Sequence, residues 1–470
     1  MTIMLVTEKL AGIALGLKAE EIKPSSFQAA IKFLIDTFGC AIAGHNQPGI
    51  NEARELFSGY GGRPEAELFF SNIKLPLSNA AFVNSAMIHA LDYDDVYIPG
   101  TLHLSSTIVA PVLGAAKMNS LSGREFLTAI ITAVEVAGLL GIAEAPYRKG
   151  EEFLPSTLVN GFGAVAGMAR AFGMDTATTV DAFGLNYAQV GGNRQALMDK
   201  TTAKRFQGAF AARNAIYATE LAHCGIAGPP RAFEGNAGYC KCYLNDSFTS
   251  NSLLHNPEDL QIEHISFKRY ASCGAAHNVQ IAAENLMRQE NITVDEIEKV
   301  EIFGCSENGI VGGKFALSRT PQADAQFSAA WAVAHAIVRG PARLKDYQNE
   351  NIAADTEVVA FCDKISYTEM PEGLKYDREP APLFPVYYVK PQGIIAHTYD
   401  GRRIIKAQAP TDTFDPANYP MDVITDKYYD CCNFSGLGDK LDFDRILNAL
   451  MNLKDAVSLD EFLHSICPDK

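Results

Sequence analysis

Asp92, Asp94 and Asp95 precede His103 in the segment 84–106, NSAMIHALDYDDVYIPGTLHLSS. There an apolar helical run gives way to a Pro-Gly loop and then to a new Ser-initiated helix. Loops hung between rigid helices are where catalytic side chains usually sit. A carboxylate and an imidazole brought to one cleft form an acid–base pair, and the helix after Ser105 offers an anion its N-terminal amides and the positive end of its dipole. The same spacing also fits a plainer arrangement, in which the aspartates cap a helix end and His103 is a hydrogen-bonded loop residue. A calcium loop is excluded. It needs a central Gly and a Glu at its twelfth position, and the twelfth residue counted from Asp92 is His103.

Two basic pairs come next. Lys204 and Arg205 open the apolar helical stretch AKRFQGAFAAR, and Lys268 and Arg269 precede another in FKRYASCGAAHN. Cations at helix N-termini run against the helix dipole, which makes sense with an anionic ligand; solvated surface cations are the competing reading. The run from Gly161 to Gly167, GFGAVAG, lacks GxGxxG spacing and no strand precedes it, so it reads as close helix packing. Walker A, GxSxG and HExxH patterns are absent from the sequence, leaving nucleotide, serine-hydrolase and zinc-protease chemistry without support.

The elements that must position these residues are mostly helices. Between Gln28 and His45 the apolar residues Ile31, Leu34, Ile35, Phe38, Ala41 and Ile42 recur at three- and four-residue spacing. Segments 79–91, 105–120, 124–145, 158–173, 206–224 and 276–289 continue the pattern with many Ala and Gly, which let helix axes approach. After about Glu263 the character changes. KVEIF at 299–303 alternates as a strand does, and the apolar runs 386–389 and 393–408 flank or contain Asp400-Gly401, the dipeptide suited to a type I′ hairpin turn. Helical periodicity returns beyond Pro410, ending in 442–453 with Phe443, Ile446, Leu447, Leu450 and Met451 on one face. At 470 residues, more than one core is expected. The predicted fold is mainly α with an α+β second domain: 1–264 and 411–470 helical, 265–410 a smaller α+β domain. Fixed-period repeats and long Gly/Ser/Pro linkers are missing.

A formal charge of −15 argues against nucleic acid or an anionic membrane as partner, so an anionic substrate needs a local cationic pocket. The N-terminal stretch MTIMLVTEKLAGIALGLKAEE lacks the layout of a signal peptide, and cytoplasmic residence is expected. Ten scattered cysteines, with no CxxC pair, read as mostly buried, reduced thiols rather than a disulfide or zinc framework. FLTAIITAVEVAGLLGIAEA at 126–145 is long enough to cross a membrane, but Glu135 and Glu144 interrupt it, and a core helix is the expectation.

The order LIDTFGCAIAG, NSAMIHALDYDD, HLSS, AKRFQGAFAAR, FKRYASCGAAH and QFSAAWAVAHAIVRG resembles the MmgE/PrpD family along essentially the whole chain. That family includes 2-methylcitrate dehydratase, cis-aconitate decarboxylase and iminodisuccinate epimerase, with a large helical domain, a smaller lid domain and usually a homodimer. The resemblance implies an enzyme that needs neither cofactor nor metal and acts on a small carboxylate. Its site residues carry over as Asp92, His103, Lys204 and Lys268. His103 would shuttle the proton, Asp92 would orient the loop or assist, and the lysines would hold carboxylates and stabilise an enolate-like intermediate. Asp95, Leu154, Arg205, Arg269, His277 and Trp331 are candidate substrate contacts. This chain departs from the decarboxylase-type pattern in having Val96 for a Thr, Leu154 for a His and Trp331 for a Tyr, and the DYDD-to-His spacing is one residue longer. Lost polar contacts favour a substrate with fewer polar groups or an apolar substituent. The first expectation is therefore a dehydratase of a 2-methylcitrate-like hydroxy-polycarboxylate. An epimerase of iminodisuccinate type comes second and a cis-aconitate-type decarboxylase after it; a small-acid-binding pseudoenzyme is the alternative outside catalysis.

Overall fold

A computed structural model describes residues 4–150, 152–374 and 390–468. The chain divides into two compact units, one of 1–194, 205–266 and 419–470, the other of 195–204 and 267–418. Relative to the pattern in the sequence, the second unit also takes 195–204, a short excursion that no composition change marks, and extends past Pro410 to Asn418.

The first unit is built on helices that are apolar nearly all round. Gly123–Glu144 starts at Ser122, whose hydroxyl accepts the Glu125 amide while Glu125 returns to the Ser122 backbone. It packs against Pro155–Ala171, and Ser105–Met118 packs on both. Gly163 and Gly167 permit that approach: a Cβ on Gly163 would stand 2.5 Å from the Ala133 carbonyl oxygen, and one on Gly167 3.0 Å from that of Ala129. The GFGAVAG run is thus a helix-packing face. A second layer pairs Pro24–Gly44 with Met421–Ser435 and Leu77–His89.

Two helices, Pro24–Gly44 and the segment Gly123–Tyr147, are long and apolar enough to cross a membrane, but their apolar windows are 83% and 94% buried inside the protein, which makes them core helices. The glutamates interrupting the second have partners. Glu135 accepts the Gln261 amide at 2.8 Å and pairs with His255 at 2.8 Å. Glu144 pairs with Arg148 at 2.9 Å and accepts the Tyr239 hydroxyl. Buried charge is tolerated when it is answered in this way.

The second unit carries a four-stranded sheet among the described residues. Counting the two-residue ladder of β1 (Ala66–Glu67) and β2 (Lys74–Leu75) in the first unit, its strands are β3 (Ile297–Phe303), β4 (Ile365–Tyr367), β5 (Gln392–Thr398) and β6 (Arg403–Gln408). Their order is β4-β3-β5-β6, with β3 and β4 parallel and the other pairs antiparallel. The helix His277–Gln289 covers β5 and β6 and packs on Ala329–Val338. The β5–β6 hairpin forms at Asp400-Gly401, yet only Gly401 takes a positive φ, +88°. Thr398 accepts the Gly401 amide at 2.9 Å and donates its own amide to Arg402 O at 3.1 Å. A type I′ turn needs both central residues left-handed, so this is the three-residue loop closed by a left-handed glycine. The expected run 386–389 lies outside the described residues. All ten cysteines are free; Cys40, Cys240, Cys362, Cys431 and Cys432 are buried, while Cys224 and Cys242 are exposed.

Candidate functional site

The loop between Leu77–His89 and Ser105–Met118 is fixed almost atom by atom. The first helix ends at His89, and the Asp92 amide turns back to donate to His89 O at 3.1 Å. Asp92 itself adopts φ +51°, a left-handed conformation that a non-glycine residue keeps only when its surroundings impose it. Farther on, Val96 exchanges both backbone hydrogen bonds with Ser266, at 2.9 and 3.0 Å, and Tyr97 does the same with Leu102.

Asp95 is fully buried, and its two carboxylate oxygens accept the amides of Leu104 and Ser105, each at 2.9 Å. The start of the Ser105 helix therefore already holds a carboxyl group, that of Asp95, where the sequence suggested a ligand. Its side chain is committed to the loop rather than to a substrate. Burial, with the Asp94 charge adding to it, pushes the Asp95 carboxyl up to about 7.

His103 is half-buried and clamped from three sides. Its amide donates to Ser156 Oγ at 2.9 Å, its carbonyl accepts from the Asn160 side chain, and its Nδ1 lies 2.8 Å from the Asp95 carbonyl oxygen. A carbonyl only accepts, so Nδ1 carries a proton, and in the neutral ring the lone pair is on Nε2. That is the tautomer a general base requires.

A second imidazole, absent from the sequence reading, faces the first. His89 is buried, its Nδ1 sits 2.8 Å from both oxygens of Asp94, its Nε2 is 3.9 Å from Asp92 Oδ1, and its ring centroid is 5.3 Å from that of His103. Its position, three residues before Asp92 and five before Asp94, is the signal that could have found it. His89, Asp92 and Asp94 each offer a ligand atom within 4.8 Å of the others, so a cation is the one cofactor this cluster could hold. His89 Nδ1 and both Asp94 oxygens are engaged with each other in this structure.

Arg205 lies in the same unit, 5% exposed, with Nη1 donating to Pro48 O at 2.7 Å. Burial draws its guanidinium down to about 10, and the Asp92 charge opposes that fall. Beneath the loop, Lys427 forms an ion pair with Asp36 Oδ1 at 2.6 Å and donates to Tyr93 O at 2.7 Å, and its ammonium stands 3.9 Å from the centre of the Tyr93 ring. Tyr93 separates Asp92 from Asp94, so a cation from a distant helix pins the middle of the motif.

The remaining candidates fall as follows. Leu154 is the half-buried residue preceding Pro155–Ala171 in the first unit, two positions before the Ser156 that accepts from His103. In the second unit, Lys204 is buried with its ammonium 5.7 Å from the Phe327 ring centre, and Lys268 is buried. Arg269, expected to reach a substrate, is exposed and pairs with Glu284 at 3.3 Å. Trp331, expected against an apolar substituent, is packed on the rings of His335 and Tyr347 at 4.9 and 5.0 Å in a wholly buried stretch of helix. His277 is buried between the rings of Tyr270 and Phe414. Asp92, His103 and Arg205 are thus brought together in one unit, while Lys204 and Lys268 belong to the other.

Comparison with known proteins places this geometry. Residues 8–251 match the MmgE/PrpD N-terminal domain and residues 270–433 the MmgE/PrpD C-terminal domain. A cis-aconitate decarboxylase-like protein of Aspergillus oryzae is 24% identical over 97% of this chain and 96% of its own length. The human cis-aconitate decarboxylase is 26% identical over 61% of each chain, and the mouse protein 24% over 64% of each. With both domain models matched in order along most of its length, the chain belongs to the MmgE/PrpD family.

Proposed function

We propose that this protein is a lyase acting on a small polycarboxylate by moving a proton at the carbon next to a carboxylate, with His103 as the base. The observation that carries this reading is the Nδ1–H bond from His103 to the Asp95 carbonyl, which makes Nε2 the basic nitrogen of the neutral ring. Asp92, strained and buried beside Arg205, supplies the fixed charge that orients the site. The family pattern makes Lys204 and Lys268 candidates for holding carboxylates, whose charge spreads onto oxygen when the proton leaves.

For a hydroxy-tricarboxylate of 2-methylcitrate type, Nε2 removes the α-proton, the C–H electrons form the double bond, and the β-hydroxyl takes the proton from the imidazolium and leaves as water. The half-buried Leu154, where decarboxylase-type sequences carry a histidine, supports a substrate with an apolar substituent. The names of the curated relatives favour a second reading, decarboxylation of a cis-aconitate-type acid. In it carbon dioxide departs and the imidazolium protonates the resulting carbanion, so the same residues serve both.

Proton NMR in deuterated water with 2-methylcitrate, citrate, cis-aconitate and iminodisuccinate tests the proposal. Loss of an α-proton signal, with the methyl doublet of 2-methylcitrate collapsing to an allylic singlet or a new alkene proton appearing, supports the dehydratase, and loss of a carboxyl with deuterium incorporation the decarboxylase. Exchange without elimination makes the protein an epimerase, and tight binding with no exchange reduces it to a binding protein. His103→Ala should lower the rate by about 10²- to 10⁴-fold; a variant as active as the parent removes His103 from the mechanism.

A further inference from the structure

We propose that His89, held by Asp94, is a positioning residue of the reaction, fixing the Asp92 carboxylate and the His103 ring without itself exchanging a proton with the substrate. The inference rests on the reading given above, with His103 as the base and Asp92 as the charge that orients the site.

His89 is the last residue of Leu77–His89, so its Cβ is carried on a rigid element rather than on the loop. Asp94 is fully buried and directs both oxygens at Nδ1, 2.8 Å away, which sets the plane of the imidazole and leaves Nδ1 as the donor. This repeats the logic of a histidine oriented by a carboxylate behind it. The far side of the ring then points at Asp92. The Asp92 amide donates to His89 O at 3.1 Å, and its Oδ1 stands 3.9 Å from His89 Nε2, an ion-pair separation when the ring is protonated. Asp92 is also the residue whose left-handed backbone needs such support.

The titratable groups against this ring include Asp92, Asp94 and His103. Asp95 is the group whose backbone carbonyl orients His103, so the two imidazoles, 5.3 Å apart, are fixed by successive aspartates of a single motif. When His103 takes a proton it becomes a cation beside His89. The ring that meets this new charge is held in place by Asp94, and its Nε2 edge is turned toward the Asp92 carboxylate. A displaced His89 therefore moves both the base and the charge that orients the site.

The test uses two isosteric changes. In His89→Asn the amide nitrogen replaces Nδ1 and keeps the bond to Asp94, whereas in His89→Gln the amide lies near Nε2 and that bond is lost. Both are compared by rates on 2-methylcitrate and cis-aconitate, by circular dichroism, and by nitrogen-15 histidine NMR of the full chain. We expect kcat to fall about 10- to 100-fold in His89→Gln, the range seen when a group orienting an active residue is removed, with KM changed far less and partial recovery in His89→Asn. Wild-type protein should show a slowly exchanging, strongly downfield imidazole N–H that is lost in His89→Gln and in Asp94→Asn and kept in His103→Gln. Folded His89→Gln with undiminished kcat overturns the proposal, as does absence of the downfield signal from wild-type protein. If neither acid reacts, the choice of substrate fails separately, and the titration of the His103 ring then decides: displacement in His89→Gln supports positioning, and an unaltered curve refutes it.

Discussion

Lys427→Met should unfold this protein more readily than almost any other single change away from the acid–base residues. The ammonium is 2.6 Å from Asp36 Oδ1 and 2.7 Å from Tyr93 O, with the two side chains 9% and 0% exposed. Burial draws the ammonium down, but Asp36, together with Cys40 and Tyr93, more than reverses this, so Lys427 stays charged above the ordinary lysine value of 10.5. Methionine matches the stem and removes the charge, stranding a buried carboxylate. Breaking a buried pair from one side costs about 3–5 kcal/mol. The Tyr93 carbonyl loses its donor in the same step, a cost that overlaps with the first. Against a typical total of about 5–15 kcal/mol, that loss should be plain in a urea titration followed by circular dichroism, as a lower midpoint at constant slope. Because the folded-state value is raised, the contribution of Lys427 is complete below 10.5 and drains only above it, so the deficit should be level from pH 6 to 9. Asp36→Asn combined with Lys427→Met should recover much of the loss by removing the stranded charge. A single-variant deficit under about 1 kcal/mol, or a double variant no more stable than Lys427→Met, refutes the argument.

Asp95→Asn should change how stability varies with pH. The Asp95 carboxyl titrates near 7 in the fold against 3.8 ordinarily, so it favours the folded state below about pH 4 and that advantage drains as pH rises to 7, by about 4 kcal/mol in all. The difference between wild type and variant should therefore shrink over that window in urea titrations at successive pH values; a constant difference contradicts it. Gly163→Ala should cost about 1–3 kcal/mol, because its Cβ would lie 2.5 Å from the Ala133 carbonyl oxygen and two buried helices must part to admit it. Thermal melts check this, and an unchanged midpoint speaks against close packing there. Arg269→Ala should leave turnover and KM on cis-aconitate and 2-methylcitrate within about twofold, since its exposed pair with Glu284 is of the kind worth about 0–1 kcal/mol. A large rise in KM would restore it to the substrate.

The helices were legible because burial on nearly every side leaves apolar runs of unmistakable length. The stretch read as 124–145 is helix Gly123–Glu144, and 276–289 is His277–Gln289. Strand β3 showed through its alternation, and the hairpin through Asp400-Gly401. The turn type did not, because Asp-Gly suits several loops and the pairing of Thr398 with Arg402 selects among them. In the site, residue types close in sequence revealed the loop but not the division of labour within it. Two aspartates alike in the motif do different things: Asp95 spends its oxygens on helix amides, and Asp94 spends its own on His89. Which carboxylate meets which partner depends on the backbone path through Asp92 at φ +51°, a conformation that no propensity announces. Lys427 lies more than three hundred positions from Tyr93, and nothing local to it signals a role at the loop.

The choice between elimination and decarboxylation turns on fewer residues than the sequence suggested. Three departures from the decarboxylase-type pattern argued for an apolar substituent, yet Trp331 fills a ring cluster with His335 and Tyr347, and Val96 is buried where its backbone pairs with Ser266. Both are explained by packing alone. Leu154 is the departure still half-exposed, and it stands beside the turn that brings Ser156 to the His103 amide. Exchanging a histidine for a leucine there removes a hydrogen-bonding group and adds a surface that welcomes a methyl, discrimination of about 1–3 kcal/mol at best. Such a margin ranks substrates without dictating chemistry. Once His103 has a proton to give or take, the outcome follows from what the neighbouring carbon can release. A hydroxyl β to the carbanion leaves as water, and a carboxylate whose departure creates that carbanion leaves as carbon dioxide. A single acid–base centre can therefore serve several reactions across a family, with the leaving group of the bound acid selecting among them.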